Sequence, residues 1–135
     1  MYARGSELIV VAGVGHHGGY YRDVAPVLFL KPSAQDLQVA MDQVRRSADT
    51  SGPGPDAPWV VQERLHLGSV AAFYRDVACC IVAFDRQGHA TVQSYRPAAD
   101  GQGFEAAGSE LSVADPARLA QTVLDTLAKA PRFAK

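Results

Sequence analysis

A run of glycines and two neighbouring histidines are the residues of this chain that come nearest to a chemical motif. Residues 13–18 read G-V-G-H-H-G, a literal match to the dinucleotide fingerprint G-x-G-x-x-G. That fingerprint needs a helix to begin at the loop, so that the helix amide groups face a pyrophosphate. Here the glycines lead to Tyr20 and Tyr21 and then to a second apolar run. The sequence therefore predicts a mobile loop from Gly13 to Gly19 between two strands.

The histidines do not have the spacing of a metal site. His16 and His17 are adjacent, and His66 and His89 stand alone elsewhere in the chain. Zinc sites use three or four ligands, and the sequence contains neither Cys-x-x-Cys nor His-x-x-x-His. We therefore expect no metal and no cofactor.

Cys79 and Cys80 are the two cysteines, and they lie in an apolar run. Neighbouring side chains on a strand point to opposite faces, which makes a bridge between them geometrically awkward. No basic neighbour is present to lower a thiol pKa, so packing residues are predicted rather than nucleophiles. Ser69 or Ser94 could be combined with a histidine into a triad, but nothing in the sequence specifies one, and we expect a protein that is not an enzyme.

Length and composition set the class of protein. The chain has 135 residues, 47% of them apolar and 20% charged, with a formal net charge of −1. This fits one globular domain and lacks the basic surplus typical of nucleic-acid-binding proteins. We recognise no signal peptide or membrane span and expect a cytoplasmic location, without direct contact to nucleic acid or membrane.

The hydrophobic pattern predicts a single α+β domain with a mostly antiparallel sheet and two principal amphipathic helices. The helices are predicted over Ala34–Ser47, after the N-cap Ser33, and over residues 116–130, after Asp115-Pro116. A flexible connection is predicted over residues 47–58, and a short helix over 70–77. Strands are predicted over residues 7–14, 24–31, 59–67, 79–85, 90–95 and 110–113. The predicted buried helix residues are Leu37, Met41, Val44, Leu119, Val123 and Leu127.

A short internal repeat accompanies this pattern. Residues 21–25 and 74–78 both read Y-R-D-V-A, and each copy leads into an apolar run. Five matched residues can arise by chance or by duplication, and the sequence leaves both readings open.

The strongest charge asymmetry lies near the carboxyl end. Residues 100–125 contain five acidic residues and one Arg, a local charge of −4 on a nearly neutral chain. A solvated face explains this pattern, and an acidic patch that attracts a basic partner is the alternative.

Residues 70–130 resemble the immunity proteins of bacterial contact-dependent growth inhibition systems. The resemblance lies in the aromatic-basic stretch 72–77, the cysteine-containing hairpin 80–85 with Gly88, the pair Phe104-Glu105 and the helix start at 115–119. Residues 33–37 look like a second version of that helix start. The glycine that commonly follows the first helix leucine is replaced here by Gln38 and Ala120.

The resemblance implies a cytoplasmic protein that binds and neutralises the toxin of its own system by blocking the active cleft. Such toxins are often nucleases with basic clefts, which an acidic patch complements. No catalytic residues are implied. The candidate toxin-binding residues are Tyr95, Asp100, Phe104, Glu105, Glu110 and Asp115, with the two aromatic rings as anchors.

Two other functions remain open. A small-molecule-binding or regulatory α+β module would use the Gly13–Gly19 loop, with Tyr20 and Tyr21 lining a pocket. A small enzyme would work through His16 or His17.

Overall fold

A computed structural model describes residues 1–15, 21–49, 59–73, 77–99 and 104–132. They form one antiparallel sheet with helices on its two faces. The strands are β1 (Tyr2–Arg4), β2 (Glu7–Gly15), β3 (Tyr21–Leu30), β4 (Val77–Phe84), β5 (Ala90–Pro97), β6 (Phe104–Ala106) and β7 (Leu111–Val113). The helices are α1 (Ala34–Ser47), α2 (Val60–Arg64), α3 (Val70–Phe73) and α4 (Leu119–Lys129). This architecture confirms the predicted α+β class.

The sheet is built around its shortest inner strand. The strand order is β3-β2-β1-β4-β5-β6, and β7 pairs with β5 beside β6. The three residues of β1 pair with β2 on one side and with β4 on the other, and so join the two halves of the sheet. Strand β3 forms the edge of the sheet opposite β6. It carries Pro26, and an edge strand tolerates the missing proline N–H because one of its sides has no partner strand.

Each face of the sheet is covered by its own hydrophobic core. The first core lies under α1 and α4, and all six helix residues predicted to be buried belong to it. The second core lies under α2 and α3 and contains Tyr2, Ile9, Val61 and Phe73. Because successive strand residues alternate between faces, β1, β2 and β4 contribute to both cores. Strands β2 and β4 accordingly have long apolar runs in their sequences.

The predicted helix ends and hairpin are confirmed. Helix α1 begins after Ser33, whose hydroxyl accepts a 3.4 Å hydrogen bond from the Asp36 amide. Asp115 caps the second principal helix, but its first turn, Pro116–Arg118, is 3-10 and the α-helix begins at Leu119. Strands β4 and β5 form the predicted antiparallel hairpin.

The strand predicted over residues 59–67 is wrong. This segment forms helix α2, in which Val61 is fully buried and Trp59 and Leu65 pack on the second core. Val61 and Leu65 are four residues apart, so they share one face of a helix as readily as one face of a strand. Too few residues separate the two patterns for the sequence to decide between them.

The remaining differences concern element ends and short strands. Strand β2 continues through Gly15, which pairs with Tyr21, so residues 13–15 are strand rather than loop. The short helix ends at Phe73, and Val77 opens β4. Strands β1 and β6 were not predicted, because three residues carry almost no periodic signal.

Three predictions depend on residues outside the described ranges. They are the structures of the loop residues 16–20, of residues 50–58 in the predicted connection, and of residues 74–76 in the second Y-R-D-V-A copy. The first copy lies inside β3.

Candidate functional site

The predicted toxin-binding residues that the structure describes lie on β5 and at the border of the sheet beyond it. Residues 95–97 pair with β6, and residues 90–92 pair with β7. Glu110 directly precedes β7 and Asp115 follows it by two residues. We call residues 104–106 and 110–115 the acidic edge. Asp100 lies outside the described residues.

The two candidate aromatic anchors belong to the second core. Tyr95 and Phe104 are partly buried and pack against that core, where the Phe104 and Tyr2 ring centroids are 5.6 Å apart. Phe104 and Glu105 are neighbours on one strand, so their side chains point to opposite faces of the sheet. The rings and the Glu105 carboxylate therefore do not form one continuous contact surface.

Glu105 has a basic partner that lies outside the acidic stretch. Arg96 stands opposite it on β5, and its Nε donates a 2.7 Å hydrogen bond to Glu105 Oε1. Both side chains are about half exposed, at 56% and 46%. The pair offsets one negative charge, so the exposed charge of the acidic edge is smaller than the count over residues 100–125 indicates.

The acidic edge is exposed to solvent at Glu110, Leu111 and Asp115. Leu111 is 46% exposed, although it lies in a strand, and Glu110 beside it is exposed. The Asp115 carboxylate accepts a 3.0 Å hydrogen bond from the Ala117 amide and remains exposed. An exposed apolar residue that is flanked in the sequence by exposed carboxylates suits contact with a protein partner.

An open depression lies beside β7. Its volume is about 430 Å³, and its lining includes Phe84, His89, Thr91, Ser112 and Val113. The hairpin turn below it is fixed by Asp85, whose Oδ1 accepts hydrogen bonds of 2.9 Å from the His89 amide and 2.8 Å from the Gln87 amide. These bonds, with that of His89 first, lower the pKa of the Asp85 carboxyl group.

The two cysteines are free and buried, as predicted. Burial raises the pKa of Cys79 to about 12, and it also raises the pKa of Cys80. A thiol that stays protonated at neutral pH is a poor nucleophile and a poor metal ligand. The burial of the two cysteines therefore fits a role in core packing rather than a role as nucleophiles or metal ligands.

Sequence reasoning missed Asp23, a partly buried carboxylate on β3. Its Oδ2 accepts a 2.5 Å hydrogen bond from the Tyr2 hydroxyl and a 2.8 Å bond from Trp59 Nε1. The Trp59 and Tyr2 rings also make edge-to-face contacts with Phe73. One acidic residue at the start of a mostly apolar strand was the available signal, but the sequence does not show which donors reach it.

Comparisons with protein-family models, with curated proteins and with solved structures found no match to this chain. Among the described residues, no group of three or more His, Cys, Asp or Glu side chains is placed to hold a metal ion. His16 and His17 lie outside those residues. None of the helices in the described ranges is long and apolar enough to cross a membrane.

Proposed function

We propose that this protein is an immunity protein that binds a cognate toxin domain, a nuclease, and blocks its active cleft. The observation that carries the proposal is the acidic edge, where Glu110, Leu111 and Asp115 are all exposed. The resemblance of residues 70–130 to contact-dependent growth inhibition immunity proteins supplies the class of partner.

Charge complementarity supports this choice of partner. A nuclease cleft is basic because it binds a phosphate backbone, and an acidic surface accelerates encounter with such a cleft. Glu105 is already paired with Arg96. Glu110 and Asp115 therefore carry the steering charge among the described residues of the acidic edge.

The strand pairing and helix packing behind the acidic edge also support its role as a binding surface for the toxin. Strand β5 holds both β6 and β7, and α4 packs its buried residues on the first core behind them. Tyr95 and Phe104 hold β5 and β6 to the second core from the other face. A surface mounted on a rigid sheet loses little conformational entropy when it binds.

The test uses the cognate toxin domain that the proposal requires and follows association by stopped flow. Glu110→Lys should slow association at least about tenfold at low ionic strength, and the difference should shrink as salt is added. Asp125→Lys is the matched control, because Asp125 is an equally exposed carboxylate on α4. Equal association rates for the two variants would remove the acidic edge from the interface.

A further inference from the structure

The two outer edges of the sheet differ in how well they resist pairing with another strand. Strands β6 and β7 have three residues each, and between them residues 107–110 stand opposite only residues 93 and 94 of β5. The Gln93 side-chain amide fixes this bulged segment with a 2.9 Å hydrogen bond to the Gly108 carbonyl. Short edge strands and bulges are features by which native proteins prevent edge-to-edge pairing. The edge formed by β6 and β7 is therefore protected.

The edge formed by β3 is protected over only part of its length. Pairing with β2 skips Ala25 and Pro26, and the Ala25 carbonyl accepts a 2.9 Å hydrogen bond from the Asp49 amide. Beyond Pro26 the sequence reads V-L-F-L-K, with no charged residue before Lys31. No described strand lies on the outer side of these residues. We call residues 27–31 the open edge.

The direction of the backbone groups along the sheet follows from the inner strand β1. Met1 and Cys80 exchange two backbone hydrogen bonds, of 2.9 and 3.0 Å. In an antiparallel ladder, a residue directs its N–H and C=O groups to one side, and the next residue directs its own to the other side. Tyr2 therefore bonds to its partner Ile9 on β2, and Val10, the residue after Ile9, bonds to β3.

The same alternation directs backbone groups of the open edge away from the sheet. Val10 stands opposite Leu28, so Leu28 directs its N–H and C=O groups toward β2. Val27 and Phe29, on either side of Leu28, direct theirs outward, and Lys31 follows the same alternation. No described residue donates to or accepts from the backbone of Val27 or Phe29 on that side. The open edge thus offers a row of backbone donors and acceptors to an added strand.

We propose that the open edge pairs with the open edge of a second copy of this chain, so that the two sheets join into one. The two strands run antiparallel about a two-fold axis at Phe29, the centre of the open edge. Val27, Phe29 and Lys31 then stand opposite the partner's Lys31, the partner's Phe29 and the partner's Val27, so residues with outward backbone groups meet one another. This register ends before Pro26, which has no N–H to donate, and before Ala25, whose carbonyl is already bonded.

The side chains of the open edge favour a second copy over a charged partner strand. Residues directly opposite in a ladder share a face. On the face of the first core, Leu28 meets the partner's Leu30, and on the face of the second core, Phe29 meets the partner's Phe29. Each copy therefore supplies the uncharged apolar strand that the other requires. The two Lys31 residues lie at opposite ends of the pairing, about 13 Å apart along the strands, which weakens their repulsion.

The size of the interface predicts a reversible dimer. A ladder of five residues on each copy buries less than the roughly 1,200 Å² that stable protein interfaces need. Helices α1 and α2 pack on the two faces of β3 and lie beside the interface. The edges formed by β6 and β7 come to lie at the two far ends of the joined sheet. The inference thus goes beyond the proposed toxin binding and leaves the acidic edge of each copy free.

The first test measures the wild-type chain at increasing concentration. Sedimentation equilibrium should give the mass of one chain at about 1 µM and approach twice that mass at about 1 mM. Amide hydrogen exchange at Val27 and Phe29 should slow at least about threefold between about 5 µM and about 500 µM, because pairing protects these outward amides. Leu28 and Leu30, whose amides bond to β2, are internal controls and should change much less. The mass of one chain at about 1 mM would overturn the proposal, as would exchange at Val27 and Phe29 that does not depend on concentration.

The second test examines the register. Phe29→Lys removes the aromatic pair and places two like charges directly opposite each other, and Phe29→Glu does the same, so each variant alone should dimerise at least about tenfold more weakly. A one-to-one mixture of the two variants places opposite charges across the axis and should restore dimerisation. Val39→Lys is the matched control, because Val39 is 60% exposed on α1 and lies outside the open edge. It should dimerise as the wild type does.

Circular dichroism checks that each variant is folded. A mixture that stays monomeric although both variants are folded, or a control that loses dimerisation as far as Phe29→Lys does, would refute pairing at Phe29. Where a Phe29 variant does not fold, hydrogen exchange in the wild-type chain decides. These readouts need no toxin, so their failure is distinct from a failure of toxin binding.

Discussion

The indole N–H of Trp59 donates a 2.8 Å hydrogen bond to the Asp23 carboxylate and thereby ties helix α2 to strand β3. The Tyr2 hydroxyl donates to the same oxygen from the inner strand β1. Three elements that are distant in sequence therefore meet at one carboxylate, at the border of the second core.

Asp23→Ala removes the acceptor of the Tyr2 and Trp59 hydrogen bonds in a partly buried site, and we expect the free energy of unfolding to fall by about 1–3 kcal/mol. Urea denaturation measures this change. Asp125→Ala, which removes an exposed acceptor of Gln121, is the control and should cost less than about 0.5 kcal/mol. Equal costs would show that Asp23 does not hold these elements together.

Leu127→Ala tests the first core. Leu127 is 3% exposed and lies on the buried face of α4, so truncation should cost about 2–5 kcal/mol in chemical denaturation. Leu111→Ala makes the same change at a residue that is 46% exposed and should cost much less. A loss below about 1 kcal/mol for Leu127→Ala would contradict its place in the core.

The principal helices could be predicted because each has both a start signal and a long apolar stripe. Ser33 and Asp115 cap as predicted, and the leucines at 37, 119 and 127 are buried. Helix α2 could not be predicted, because five residues do not separate a helical period from a strand period. Its helical form depends on a tertiary arrangement in which Trp59 reaches Asp23.

The candidate site was only partly predictable for a similar reason. The sequence places acidic residues close together along the chain, but it does not place Arg96 opposite Glu105 or turn Phe104 to the other face. Both facts depend on the register of β5 and β6. The central place of β1 depends on still longer-range pairing, since Tyr2 pairs with Ile9 on one side and with Cys79 on the other.

The cysteines give a chemical test of both cores, because Cys80 lies in the first core and Cys79 in the second. Because burial raises the thiol pKa values, alkylation of the native protein at pH 8 should be at least about a hundredfold slower than that of the unfolded chain. The reaction is followed with a chromogenic thiol reagent, with and without denaturant. Rapid reaction of the native protein would show that Cys79 or Cys80 is accessible.

The hairpin turn gives a pH-dependent prediction. The folded protein holds the pKa of Asp85 below its ordinary value, so the charged carboxylate stabilises the fold. This contribution is present above the pKa of the unfolded chain, about 3.9, and is lost as the pH falls through the lower folded value. Wild type should therefore have a higher free energy of unfolding than Asp85→Asn near pH 6. The difference between the two proteins should disappear in acid. A difference in free energy of unfolding that stays constant down to pH 2 would contradict this role of Asp85.

Titration of the cognate toxin domain with this protein, with nuclease activity as the readout, tests the proposed inhibition most directly. We predict that activity falls linearly to the background level at one equivalent and that no turnover of the inhibitor occurs. Glu110→Lys should shift the titration to higher protein concentrations, whereas Asp125→Lys should leave it unchanged. A toxin that remains fully active when the wild-type protein is bound at saturation would contradict the proposed function.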